Sequence, residues 1–412
     1  MRERSPLLPI FLIVLVDVLG FTIVIPLLAL YAERFGASPL VATTIVSVYA
    51  ACSLVSTPVI GNLSDRFGRR RMLLVSQAGT FAGFVMLGNA TALWMVFAGR
   101  ILDGITAGNL SIAQAYISDH TKPEDRAKAF GIIGIAFGVG FMFGPALGGY
   151  LGQSSMHLPF IVSACLSALS MACTYFLLPR DAPPAAAPVV EATAAALPGG
   201  KRPSAFAFAT YTEYFRREGL GNIYLQFFLF TFAFSCFTSG FALFAEHNYG
   251  WGARDTGYLF AYSGFIGALL QGGLIGRLVK KYGEVKLVLY GFVSAIAAYV
   301  IMGLAPGWKV LAIASIFSAF GNGVLRPVLT SRITQAVGRH EQGIAIGISG
   351  SLSSFAMTMA PPAGGTFLDR DWLLAWALVP ATAALLGLIV AIGNRKTVLP
   401  GNLPKATLHS EA

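Results

Sequence analysis

Apolar residues in this chain fall in blocks of roughly 18–25, each broken by glycine, proline or charge, the length an α-helix needs to cross about 30 Å of hydrocarbon. The blocks lie near 8–31, 41–61, 72–90, 93–117, 127–151, 158–178, 221–245, 255–276, 286–304, 309–331, 342–367 and 372–393, which predicts twelve spanning helices. A spanning β-barrel would show alternating segments of about ten residues instead. The first block follows Arg2 and Arg4 as a signal peptide would, but it is too long and has no A-x-A cleavage site, so it reads as a retained helix.

Composition sharpens this to an all-α membrane protein. Of 412 residues, 55% are hydrophobic and only 12% charged, with mean hydropathy +0.68; soluble domains carry about 25% charged residues. Lysine and arginine crowd the tails and alternate loops, at Arg66, Arg69, Arg70, Arg71, Lys122, Arg126, Lys128, Arg277, Lys280, Lys281, Lys286, Arg332 and Arg339 among others. The intervening loops hold Arg34, Arg254, Lys309 and Arg370. The positive-inside rule then predicts two cytoplasmic termini in a multi-pass protein of the inner (cytoplasmic) membrane. The formal +10 is explained by anionic lipid and needs no nucleic acid. Cys52, Cys165, Cys173 and Cys236 sit inside apolar blocks without C-x-x-C spacing and read as packing residues. "GGK" at 199–201 lacks the spacing of a phosphate-binding loop. No nucleophile–base pair or metal-ligand cluster appears, so neither an enzyme nor a bound metal or cofactor is expected.

"RDAPPAAAPVVEATAAALPGGKRP" cannot build a core and divides the chain into a six-helix bundle over 1–179, a linker over 180–219, a second bundle over 220–394 and a tail over 395–412. "SAFAFATYTEYFRREG" at the end of the linker alternates aromatic and basic positions, as an interfacial helix or as continued linker. The halves repeat. "GNLSDRFGRRRMLL" at 61–74 matches "GRLVKKYGEVKLVL" at 276–289, and the stretch at 130–151 matches 346–367, with Pro145 over Pro361. Duplicated units of this kind build secondary transporters, with the site near the midplane between repeats.

Asp17 stands inside the first block, in "DVLGFTIVIPLL". A carboxylate at membrane depth costs at least about 2.5–3.5 kcal/mol, so it must be paired, wet or protonated. Two readings are open: a proton switch whose acidity changes as the site is alternately exposed, or a static ion pair that orients helices. In the fourth span Arg100, Asp103, Ala107, Ser111, Gln114 and Ser118 draw one polar stripe predicted to line a central cavity, with Asp17 competing with Asp103 for Arg100. The tenth span carries a counterpart in Ser315, Asn322, Arg326 and Thr330, Arg326 either meeting substrate or snorkelling to the interface. Asn222 with Gln226, and Tyr258 with Tyr262, are further candidate contacts to an organic ligand.

Two motifs suggest gating. Asp65 is placed to cap a helix N-terminus of the other half while Arg66, Arg69 and Arg70 find carboxylates or helix C-termini, a latch closed at the cytoplasmic side; the alternative is membrane anchoring, preferred for Arg71. Gly61 and Gly68 hold fixed places in that motif. In "GVGFMFGPALGG", Gly140, Gly144 and Gly148, with Gly149 beside them, bare one helix face, and Pro145 removes a backbone hydrogen bond. This face is expected to meet Gly343, Gly347, Gly350 and Ser354 across the outer half of the interface.

"DVLGFTIVIPLL", "GNLSDRFGRRRMLL", "GRILDGITAGNLSIAQAYISD" and "GVGFMFGPALGG" together resemble the major facilitator superfamily, in the twelve-span drug:proton antiporter branch and its tetracycline-resistance-like group. The resemblance covers the chain apart from linker and tails. It implies two pseudo-symmetric six-helix bundles that rock between inward- and outward-open states, and efflux of a small amphipathic compound against protons. Asp17, Arg100 and Asp103 would be the coupling cluster. The tetracycline pumps are expected to carry further acids in the third and ninth spans, absent here, and usually a small residue at position 103; tetracycline as substrate therefore does not follow. The expected partners are substrate, protons and the bilayer, with a functional monomer. The rivals are a carrier for a metabolite, sugar or organic anion on the same fold, and a non-transporting membrane protein such as a scramblase or scaffold.

Overall fold

A computed structural model describes residues 7–121, 126–179, 208–217, 219–338 and 341–393. Most of the expected linker and the tail, Ser204–Ala207 of the interfacial stretch included, lie outside the described residues, whose regular structure is entirely helical. Among the described residues eleven helices are long and apolar enough to cross a membrane: Leu8–Glu33, Pro39–Phe67, Arg69–Gly88, Ile133–Ser154, Leu158–Leu177, Leu220–Tyr249, Ala253–Tyr282, Glu284–Gly303, Trp308–Gln335, Gln342–Leu368 and Leu373–Gly393. The remaining span, fourth in chain order, is broken into Leu93–Ile105 and Asn109–His120. A short helix, Phe208–Arg216, precedes the seventh span.

The break in the fourth span frees carbonyl groups that hydrocarbon would leave unsatisfied. Neighbouring hydroxyls take them up: Ser56 Oγ donates to the Gly104 carbonyl at 2.6 Å, Ser76 Oγ to Thr106 at 2.5 Å and Thr57 Oγ1 to Ala107 at 3.2 Å. Gly104 and Gly108 let the second span press in, since a Cβ there would strike Cys52 and Ile60. The break is locked by packing and is invisible to hydropathy.

Packing repeats between the halves. The first span packs on the fifth and sixth, the third on the fourth and sixth, and the second on the fourth; the same pairs recur six spans later, seventh on eleventh and twelfth, ninth on tenth and twelfth, eighth on tenth. The two largest contacts between halves are fifth with eighth and second with eleventh, and the same pseudo-symmetry exchanges them. The molecule therefore consists of two six-helix bundles related by repetition.

These pairings correct one expectation. Gly140, Gly144 and Gly148 do not meet Gly343, Gly347 and Gly350, because the fifth span's partner across the interface is the eighth. A Cβ on Gly140 or Gly144 would strike Val18 or Thr22, and one on Gly148 the Ile23 carbonyl. The motif glycines thus seat the fifth span on the first within one bundle, where Thr22 Oγ1 lies 2.9 Å from the Gly140 carbonyl. Gly149 faces the other bundle, its missing side chain admitting the Ala253 carbonyl and Gly257.

The two ends of the bundle pair differ. At the end away from the basic loops the halves are in contact: Gly149 on Gly257, Gly264 on the Phe141 carbonyl, Gly365 on Thr43 and Leu40. Asp369 Oδ1 accepts from Leu40 N at 3.4 Å, and His247 lies 3.2 Å from Asp371 Oδ1 and 3.7 Å from Glu33 Oε1. Toward the basic loops, the glycines of the same four spans, Gly61, Gly134, Gly138, Gly267, Gly272, Gly273, Gly343, Gly347 and Gly350, face open space. The molecule is closed at one face and open at the basic one.

Candidate functional site

The charged residues of the first and fourth spans come together, but not as one salt-bridged cluster. Arg100 Nη1 donates to Asp103 Oδ2 at 2.9 Å, both side chains almost wholly buried at 4% and 6% exposure. The Tyr49 ring caps the guanidinium at 4.3 Å. Gly83 and Gly99 bring the third and fourth spans close enough for Asp103 to sit between them. The pair is consequently dry, inside the first bundle, and does not line the cavity as the stripe predicts.

Asp17 is half-buried and forms no ion pair among the described residues. Its neighbours are the neutral side chains of Ser170, Gln77 and Asn109, with the Asp103 charge close enough to be felt. Gln77 Nε2 donates to Ser170 Oγ at 2.7 Å. Asp17 Oδ1, Gln77 Oε1 and Asn109 Oδ1 are buried with no hydrogen-bond partner among the described residues, so each is an acceptor without a donor. Gln77 and Asn109, amides within predicted spans, join the site although the polar stripe of the fourth span does not include them; an amide at membrane depth is the signal that marks each.

The remaining predicted contacts separate. Ser111 and Gln114 are half-buried on the inner part of the fourth span, beyond the break. Gln226 is fully buried with both amide atoms unpartnered, whereas Asn222 one turn away is exposed, so the two do not share an open face. Tyr258 and Tyr262 border a cleft of about 610 Å³ with Trp251, Asp255 and Trp308, at the closed end and remote from the opening. Asn322 is half-buried, its Nδ2 3.2 Å from Ser318 Oγ, and Arg326 one turn further on is exposed.

The basic loop after the second span folds back on its own bundle. Arg69 pairs with Asp65 at 2.5 Å and with Asp119 at 2.9 Å, and Nη1 donates to Ser64 Oγ at 2.6 Å. Arg70 Nη2 donates to the Tyr175 carbonyl at 2.5 Å, at the C-terminal end of the sixth span, a helix terminus that favours a cation. Arg66 is exposed. Gly68, with φ of 97°, makes the turn that joins second and third spans.

The Major Facilitator Superfamily profile matches residues 10–309 and 268–410. The chain belongs to this superfamily. It is similar to the class C tetracycline resistance protein of Escherichia coli, 29% identical over 369 residues and covering 88% of this chain and 89% of that one. Multidrug resistance protein 2 of Bacillus subtilis (strain 168) is 23% identical over 373 residues, with 88% and 89% covered. Among solved structures, a human organic anion transporter superposes with TM-score 0.70 at 22% identity, covering 95% of this chain and all of that one. A bacterial homolog of the human lysosomal transporter Spinster does so with TM-score 0.70 at 14% identity, 96% of each chain covered. These structures share the fold. At the family level the chain is a multi-pass membrane transporter whose curated relatives include tetracycline and multidrug resistance proteins.

Proposed function

We propose that the protein exports a small amphipathic organic compound across the inner membrane in exchange for protons, with Asp17 as the group that takes up and releases H⁺. The observation that carries this is a carboxyl group at membrane depth, with one oxygen buried and no counter-cation among the described residues, ringed by amide and hydroxyl groups. Such an acid is costly to hold ionised and has acceptors at hand once protonated. Arg100 and Asp103 complete the cluster as its fixed member: Asp103 neutralises Arg100, so that a charge change at Asp17 is not absorbed by the guanidinium.

The basic face is the cytoplasmic one, with both termini, and the open state is the one that loads substrate from the cytoplasm. Closing it requires Asp65, Arg66, Arg69 and Arg70 to exchange contacts within one bundle for contacts with the other. At the far face Gly149 and the helix it sits on let the bundles close backbone to backbone. The working unit is a single chain.

Purified protein in liposomes, with an imposed pH gradient and a panel of amphipathic compounds, tests the reading. Asp17→Asn is expected to abolish gradient-driven accumulation while leaving substrate exchange in the absence of a gradient. Uphill transport at the parent rate by Asp17→Asn would overturn the assignment.

A further inference from the structure

Resting on this reading of the protein as an exporter loaded from its open basic face, we propose that the transported compound carries an acidic group, a carboxylate or sulfonate, and that Arg326 binds it. Arg326 is set nine residues before the end of its span at Gln335, roughly 13 Å along a helix rising 1.5 Å per residue. Its side chain is exposed. Ile313 and Phe317 are exposed on the opposite side of the same helix, the apolar surface that suits lipid. Arg326 shares its own face with Ser315, which is buried, and with Asn322.

Among the described residues no carboxylate pairs with Arg326. That separates it from Arg100, which is neutralised by Asp103, and from Arg69 and Arg217, each held by two acids. A guanidinium at membrane depth without an acid needs either water or an anion, and its planar fork fits a carboxylate or sulfonate with two parallel hydrogen bonds. The neighbouring helix departs from α-helical geometry at this level. Gly323 lies 3.7 Å from the eighth-span Leu270 at the position a Cβ would take, where that span winds into a π-helical turn, Leu270–Leu274, with no buried residue. Gly272 and Gly273 in this turn face open space, and Gln271 is exposed beside them. A π-turn of this kind leaves backbone carbonyls displaced and is frequent at functional sites. Asn322 Oδ1, buried and unpartnered, is an acceptor for a hydroxyl or amide elsewhere on the same compound.

The test is equilibrium binding to the purified full chain without any gradient, using matched sets in which one aromatic skeleton bears a carboxylate, a primary amide or a trimethylammonium group. Naphthalene and anthracene carboxylates supply the first sets. The acid is expected to bind about tenfold tighter than its amide, Arg326→Gln to bring acid and amide to equal affinity, and Arg326→Lys to keep part of the difference. Acids that never outbind their amides, tighter binding of the ammonium member, or an acid preference that survives Arg326→Gln would each overturn the proposal. Melting temperature reports that the variants are folded. Because no proton gradient is applied, failure here leaves proton exchange at Asp17 standing, and loss of that exchange leaves the acid preference measurable.

Discussion

Arg100 and Asp103 close a salt bridge of 2.9 Å within one turn of the fourth span, out of reach of water and capped by Tyr49. Asp17, nearby, has no such partner among the described residues. The two acids therefore respond differently to neutralisation. Asp103→Asn strands the Arg100 charge, and breaking a buried pair from one side costs about 3–5 kcal/mol. Loss of stability and of folded yield is expected, with rescue by a double variant that also replaces Arg100 by Gln. Asp17→Asn removes an unpaired carboxyl group and is expected to leave melting temperature equal to the parent's or higher. Thermal unfolding in detergent separates the two cases.

That difference shows what the sequence carried and what it did not. Twelve spans, the duplication and the depth of Asp17 were readable because hydrocarbon thickness and helix rise fix the length of an apolar block. The i,i+3 spacing also announced the Arg100–Asp103 pair. Whether that pair faces water depends on Gly83 and Gly99, which bring the third span over it, and no periodicity reveals which helix a glycine admits. The same limit misplaced Gly140, Gly144 and Gly148: their bare face was legible, but the partner is set by the order of spans around the bundle. The break at Thr106 escaped notice because Ser56, Ser76 and Thr57, on other helices, satisfy its carbonyls.

Gly149 and Gly257 meet where the bundles close, and a Cβ on Gly149 would stand 2.6 Å from the Ala253 carbonyl and 3.0 Å from Gly257 Cα. Backbone cannot yield as a flexible side chain does. Gly149→Val is expected to hold the bundles apart at this face and favour the state closed at the basic face. Distances between spin labels on Ser154 and Asp255 should lengthen, and transport should fall at least tenfold in correctly inserted protein. Gly134→Ala, in open space on the same span in this state, is the control expected to leave those distances unchanged.

The helix Phe208–Arg216 is fastened by Arg217, which donates to both Glu341 oxygens at 2.9 Å and to Glu213 at 2.9 Å while covering the buried Tyr214 ring at 4.2 Å. Hydrogen bonding from Arg217 holds the Glu341 carboxyl below the usual glutamate range. A depressed folded pKa means the contribution is complete above the unfolded value, about 4.3, and is lost as pH falls through the lower folded value. Being partly exposed, the contact contributes about 0.2–1 kcal/mol. Hydrogen exchange across 208–217 is expected to be insensitive to pH from neutrality to about 5, after correction for intrinsic rates, and to accelerate in stronger acid. Glu341→Gln should accelerate it already at neutral pH and flatten the acid dependence.

Asp65 offers a way to tell a latch from an anchor. In the state open at the basic face its carboxylate is half exposed and holds Arg69 across one helical turn, a contact of a type that contributes about 0.3–0.5 kcal/mol. Removing it from this state should therefore leave stability within about 0.5 kcal/mol of the parent. If Asp65 also caps a helix of the other bundle when the basic face closes, Asp65→Asn weakens that second state without touching the first. Transport is then expected to slow at least tenfold at unchanged melting temperature, with the population shifted further toward the open state in spin-label distances between the two basic loops. Parent-like transport by Asp65→Asn would leave the acid no role beyond its exposed pair with Arg69, and would move the latch to the arginines.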